Sequence, residues 1–307
     1  MTQFRPHRLL GLGLVLALVA GPALAADPVV VSSKIDTEGN LLGNVIAQVL
    51  TANGIAVTNK VALGATPIVR KAITSGEIDI YPEYTGNAAF FFNKADDPLW
   101  KSAAKAYEEA RKLDYDANKI VWLSPAPANN TWAIALLQTV TDANKLKTLS
   151  DFGKWVSGGG KVKLAGSAEF VNSAAALPAF QTAYGFALKP DQLLVLSGGD
   201  TSATIKAAAD QTDGVNAAMV YGTDGAIGAA GLVVLDDDKG VQPVYEPAPI
   251  IREAVLKANP GIEGALKPVF ASFDLKTLQT LNGRIQVNGE AAKDVAASYL
   301  KQKGFVK

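Results

Sequence analysis

Cysteine is absent from the 307 residues, and histidine occurs once, as His7. Without cysteine there can be no disulfide, no thiol nucleophile and no acyl anchor behind a leader. His7 falls inside the leader described below, so the mature chain has neither residue type. That excludes serine–histidine triads and histidine-ligated zinc. Carboxylate-only chemistry, as a glycosidase pair or a magnesium site, stays open. An excess of charge is missing too. With 29 basic and 29 acidic residues, the chain has no electrostatic basis for holding nucleic acid or an anionic membrane.

Long apolar runs are also scarce. The first, Leu9 to Ala20, follows Arg5 and Arg8 and leads into Gly21-Pro22 and Ala23-Leu24-Ala25. This is the pattern of a cleavable export signal, with cleavage expected after Ala25 and a Gram-negative periplasm as destination. About a dozen apolar residues fall short of the ~20 that span a bilayer. No later segment is longer, so the mature protein is expected to be soluble.

What is present reads as alternating strands and helices. PVVVSS (28–33) is a short β-branched run, and Leu41, Leu42, Val45, Ile46, Val49 and Leu50 share one face of a following helix. Strands are expected at 56–63, 78–81 and 120–123, with helices at 66–74 and 97–113 between them. A second alternation runs from Trp132 to Leu235, and from Pro249 onward the chain reads as helical, beginning with 250–259. No internal repeat is visible. Alternation at this spacing implies an α/β fold with mainly parallel sheets. No flexible linker separates the two units, so we expect two lobes joined by a hinge. Lobe I would comprise 26–131 plus 237–307, lobe II would comprise 132–236, and a ligand cleft would lie between them.

One stretch is unusually aromatic: GEIDIYPEYTGNAAFFF, Gly76 to Phe92. Its rings are either packed core or a surface that holds something. Together with SSKIDTEGNLLGNVI, NNTWAIAL, VYGTDGAIG and PAPIIRE, it resembles the osmoprotectant-binding proteins of ABC importers, in the right order along the mature chain. The resemblance implies a type II periplasmic binding fold and a quaternary ammonium ligand such as glycine betaine or choline. It also implies an ABC permease and ATPase complex in the inner membrane as partners, a monomeric receptor, and neither cofactor, metal nor enzymatic activity.

A quaternary ammonium has no N–H to donate, so ring faces must recognise it, each contributing about 0.5–2 kcal/mol when desolvated. Carried over from the family, the cage residues are Tyr84, Trp132, Tyr221 and Tyr245, with tryptophan at a position where relatives carry tyrosine. Lys34 stands where the family has a ligand-contacting lysine. Asn87 and Asn130 either orient polar ligand atoms or fix turns. Thr223 and Asp224 either bind or cap the helix after Tyr221, and capping is the simpler expectation. Tyr81 and Phe90–Phe92 match no cage position and are expected to pack the core.

The family's second-lobe arginine, which grips the ligand carboxylate, has no counterpart. The aligned position is Ser173, and no arginine occurs between Arg111 and Arg252. Two alternatives stay open at this point. One is a receptor for another small zwitterion or amino acid. The other is a secreted hydrolase drawing two acids from Asp36, Glu38, Asp79, Glu83 and Asp224.

Overall fold

The computed structural model describes residues 1–2, 27–197 and 201–307. The leader and its cleavage point therefore lie outside the described residues. Ten strands occur in the described chain: β1 (Val29–Lys34), β2 (Val57–Gly64), β3 (Ile80–Tyr84), β4 (Ile120–Trp122), β5 (Trp132–Leu137), β6 (Leu164–Ser167), β7 (Leu193–Leu196), β8 (Ala217–Tyr221), β9 (Leu232–Val234) and β10 (Pro247–Arg252). They form two five-stranded sheets, ordered β2-β1-β3-β10-β4 and β7-β6-β8-β5-β9.

Both sheets have one plan. In each, a single strand runs against the other four: β10 is antiparallel to β3 and β4, and β5 is antiparallel to β8 and β9. These are the strands the chain forms first after passing from one sheet to the other. The repeat is one of topology, and the sequence carries no trace of it.

The local reasons are ordinary ones. Asp36 caps the Thr37–Ala52 helix by accepting the Gly39 N–H at 2.7 Å. That helix turns Leu41, Leu42, Val45, Ile46 and Leu50, all fully buried, onto the first sheet. Phe270, Phe273 and Tyr299 from the helical tail join the same core, so the end of the chain completes the layer that its beginning started. The opposite face of the first sheet packs Tyr81, Trp100 and Trp122. The second sheet is likewise packed on both faces, around Phe152, Phe170 and Phe180 on one side and Ile205, Val220 and Ile227 on the other. Among the described residues, no helix is long and apolar enough to cross a membrane.

Two expectations need correction. Residues 250–252 are strand, not the start of a helix, which begins only at Glu253. Proline is disfavoured in a central strand, and this one contains Pro247 and Pro249. The structure accommodates them because Pro249 lies opposite Pro82, while its carbonyl accepts the Leu123 N–H on the other side. The three phenylalanines are not uniformly core either. Phe90 is 56% exposed. Phe91 and Phe92 are half-buried, with the Arg70 guanidinium 4.5 and 5.9 Å from their ring centroids. Tyr81 is fully buried, as expected.

Candidate functional site

The parallel strands of both sheets point their carboxyl ends at one cleft of about 720 Å³, the size of a small-molecule site. Lys34 ends β1 and Tyr84 ends β3; Glu169 follows β6, Thr201 follows β7 and Tyr221 ends β8. The two antiparallel strands enter at the same level. Trp132 opens β5 directly opposite Tyr221. Pro247 opens β10 opposite Tyr84, which brings Tyr245 to the cleft two residues earlier. All four expected cage residues thus line one pocket, two from each sheet. Lys34, Asn87, Asn130 and Thr223 line it as well.

Packing fixes the rings. A Cβ on Gly86 would sit 2.7–2.8 Å from the Tyr245 ring, so glycine in the Tyr-Thr-Gly-Asn turn leaves the space that ring occupies. Trp132 meets Phe170 edge-on at 6.0 Å. The two passages between the sheets are tied to each other here. Asn130 donates its N–H to the Tyr245 carbonyl at 2.9 Å, and Tyr245 donates its own to Asn129 Oδ1 at 2.8 Å.

Lys34 is buried and its ammonium lies 2.5 Å from Glu83 Oε1. The same oxygen accepts from Asn87 Nδ2 at 2.7 Å and the Tyr84 N–H at 2.7 Å, while Tyr81 donates to Oε2 at 2.8 Å. Glu83 is therefore saturated by protein partners, and Lys34 has its charge matched. Its ammonium also sits 4.7 Å from the Tyr84 centroid, occupying one face of that ring.

Glu38 differs. It is 4% exposed and lines the pocket, and among the described residues its hydrogen-bond donors are all neutral. Tyr84 Oη donates at 2.8 Å, Asn282 Nδ2 at 2.7 Å and Asn130 Nδ2 at 3.2 Å, and the Thr223 side chain adds another bond. Burial pushes its carboxyl up to about 7, against the lowering pull of these bonds. Burial also raises the hydroxyls of Tyr84, Tyr221 and Tyr245, so all three stay protonated donors at neutral pH.

Thr223 does not cap a helix: the cap of the Ala226–Ala229 helix is Gly225, without a side-chain bond. Asp224 does not cap it either, since its carboxylate accepts the Tyr221 N–H at 2.8 Å. Ser173 is absent from the pocket wall, where Glu169, one helical turn earlier, stands instead.

Sequence reasoning weighed Glu38 only as a hydrolase acid and missed Asn282, Gln286 and Phe90, all of which line the pocket. Three of the five acids considered are held by structural partners. Besides saturated Glu83, Asp79 is bound to Arg252 at 2.9 Å and to the Val30 N–H, and Asp36 is the helix cap.

Residues 27–302 match the family model OpuAC, the substrate binding domain of the ABC-type glycine betaine transport system. The glycine betaine-binding protein YehZ of Escherichia coli K12 is 60% identical over 95% of this chain and 96% of its own. The solved structure of apo YehZ from Escherichia coli superposes with a TM-score of 0.83 at 61% identity, over 92% of this chain and 100% of that one. Lactococcal OpuAC, solved with glycine betaine in a closed conformation, shares the fold at 15% identity and a TM-score of 0.56, over 91% of this chain and 99% of its own. These relatives are substrate-binding proteins, not enzymes. The two-sheet fold is that of periplasmic binding proteins, and the chain belongs to the family of substrate-binding domains of ABC-type glycine betaine transport systems.

Proposed function

We propose that this chain is exported to the periplasm, loses its leader after Ala25, and acts as a monomer that delivers glycine betaine or a close quaternary ammonium relative to an ABC permease and ATPase in the inner membrane. The ligand occupies the cleft, and the lobes 26–131 plus 237–307 and 132–236 close over it about the two passages between the sheets. The observation that carries this reading is the convergence of four aromatic side chains and a buried carboxylate on one pocket. A positive head group with no hydrogen-bond donor needs such a surround. Lys34, Tyr84, Asn87, Asn130, Trp132, Tyr221, Thr223 and Tyr245 are its proposed contacts.

Calorimetric titration of the mature protein with glycine betaine, choline, carnitine and proline tests the ligand class. Binding is expected for the quaternary ammonium compounds and not for proline, with a rise in melting temperature by mass action. Small-angle scattering should show compaction on saturation with betaine. An unchanged scattering profile under saturation would place the ligand in a rigid pocket instead.

The missing arginine gives a second expectation. Glu169→Arg should replace a pocket carboxylate by a bidentate donor and raise betaine affinity relative to choline about tenfold, given ~1.5–3 kcal/mol for a charge-assisted bond. An unchanged ratio would show that the ligand carboxylate does not approach this wall.

A further inference from the structure

Among the described residues, three buried side-chain polar atoms have no hydrogen-bond partner: Asn130 Oδ1, Asn282 Oδ1 and Trp132 Nε1. All three residues line the proposed ligand pocket. Buried polar groups are normally paired, so three exceptions in one cavity are informative. The amides are not ambiguous in orientation. Asn282 Nδ2 donates to both Glu38 Oε2 and the Thr223 carbonyl, and Asn130 Nδ2 donates to Glu38 Oε1. With the nitrogens held by acceptors, both oxygens are left facing elsewhere. Together with Glu38 they form a buried acceptor cluster within residues of the pocket wall, with a carboxylate and no cation among its described members. The one basic residue in the wall, Lys34, is bound to Glu83. Trp132 supplies the opposite polarity, a donor with nothing to donate to. The Tyr221 hydroxyl is close by but does not bond it in good geometry.

Resting on the betaine reading above, we propose that the pocket holds betaine in one orientation, with the trimethylammonium against Glu38 and the carboxylate on the indole N–H of Trp132. Glu38 is then the counter-ion of the head group, and Trp132 is the specificity-determining donor that stands in for the absent arginine. A tyrosine in place of Trp132 would keep the ring face but present no N–H at this point. Tryptophan supplies both.

The proposal makes binding pH-dependent. The groups facing Glu38 are Asp36, the cap of its own helix, Tyr84 from β3, Asn130 from the first passage, Thr223 from the loop after β8 and Asn282 from the tail. Among the described residues, Lys34, Glu169 and Asp224 are the other charged members of the pocket wall. Burial lifts the Glu38 carboxyl to about 7. Betaine itself does not titrate near neutrality. Protonated Glu38 cannot serve as counter-ion, so affinity should rise as pH rises through 7, and binding should expel a proton.

The test uses full-length mature protein and betaine. Between pH 5.5 and 8.0 wild-type affinity should rise about tenfold or more. Titration at pH 6.5 in buffers of different ionisation enthalpy should show proton release. Glu38→Gln should flatten the profile. In nitrogen–proton correlation spectra, the indole N–H assigned by loss in Trp132→Phe should move further downfield on saturation than the other three tryptophans. Trp132→Phe should also weaken betaine about tenfold while retaining the ring. A wild-type affinity constant within twofold across the pH range, with no proton exchange, overturns the counter-ion role whether or not the variant folds. An unmoved indole resonance at saturation overturns the Trp132 assignment. Failure of every quaternary ammonium to bind at any pH overturns the functional reading itself, and this proposal with it.

Discussion

Tyr84→Ala is expected to abolish betaine binding in calorimetry while the protein stays folded. The ring is 5% exposed and its hydroxyl donates to Glu38 at 2.8 Å. Alanine removes an aromatic wall worth about 0.5–2 kcal/mol to a desolvated cation. It also strips a buried carboxylate of one donor, a further ~1.5–3 kcal/mol. The sum, about 2–5 kcal/mol, corresponds to a loss of roughly thirty- to several-thousandfold. Phenylalanine separates the two contributions. Tyr84→Phe keeps the ring but loses the Glu38 bond, so about a tenfold loss should remain. Tyr221→Phe should cost little, because the Tyr221 hydroxyl holds no part of the Glu38 network. Betaine binding by Tyr84→Ala within twofold of wild type would take Tyr84 out of the site.

This differs from what the rings alone suggested. A cage of four π faces predicts that phenylalanine serves as well as tyrosine at every position. The structure shows why Tyr84 is an exception: Lys34 already covers one of its faces, and its hydroxyl is committed to Glu38. The ring positions were legible because short motifs at strand ends carry them. Glu38 was not. A glutamate just inside a helix capped by Asp36 reads as an ordinary first-turn charge favoured by the helix dipole. Its distant partner is Asn282, 244 positions further on, in a helix whose local pattern reports only its own amphipathic face.

Fold legibility has a similar limit. Strands such as β1 and β5, and the helix Thr37–Ala52, follow from β-branched runs and apolar periodicity, which act over a few residues. Strand β10 is held in place by Pro82 and Leu123, far back in the chain, and tertiary pairing overrides the helical periodicity that runs on from Ile250. The identical strand plan of the two sheets was invisible for the same reason. Strand order is decided by contacts that no local pattern records.

The second large effect concerns the place where the tail meets the loop after β8. Gly225 has φ −74° and ψ −23°, a conformation open to any residue, so glycine is not needed there for backbone freedom. It is needed for space. A Cβ at this position would lie 1.9 Å from the Gly283 nitrogen in the Leu275–Gln286 helix, and backbone cannot yield as a side chain would. Around that contact Gly225 donates its N–H to Gln286 Oε1 at 3.0 Å, Asn282 donates to the Thr223 carbonyl at 2.9 Å, and Gln279 donates to the Gly222 carbonyl at 2.8 Å. Gly225→Ala should force the loop and helix apart and break these bonds. Glu38 takes donors from both sides of the contact, Thr223 and Asn282, so its surround should come apart with them. At about 1 kcal/mol per bond, the loss approaches ~3 kcal/mol, or roughly a hundredfold in betaine affinity. The control is Gly228→Ala, three residues on, where a Cβ meets nothing within 4 Å and affinity should be unchanged. Because the contact joins the loop of one proposed lobe to the tail of the other, each lobe keeps its own core. Ligand-free circular dichroism of Gly225→Ala should therefore match wild type, while scattering shows no compaction with betaine. Wild-type affinity in Gly225→Ala would mean that the tail helix does not support the pocket.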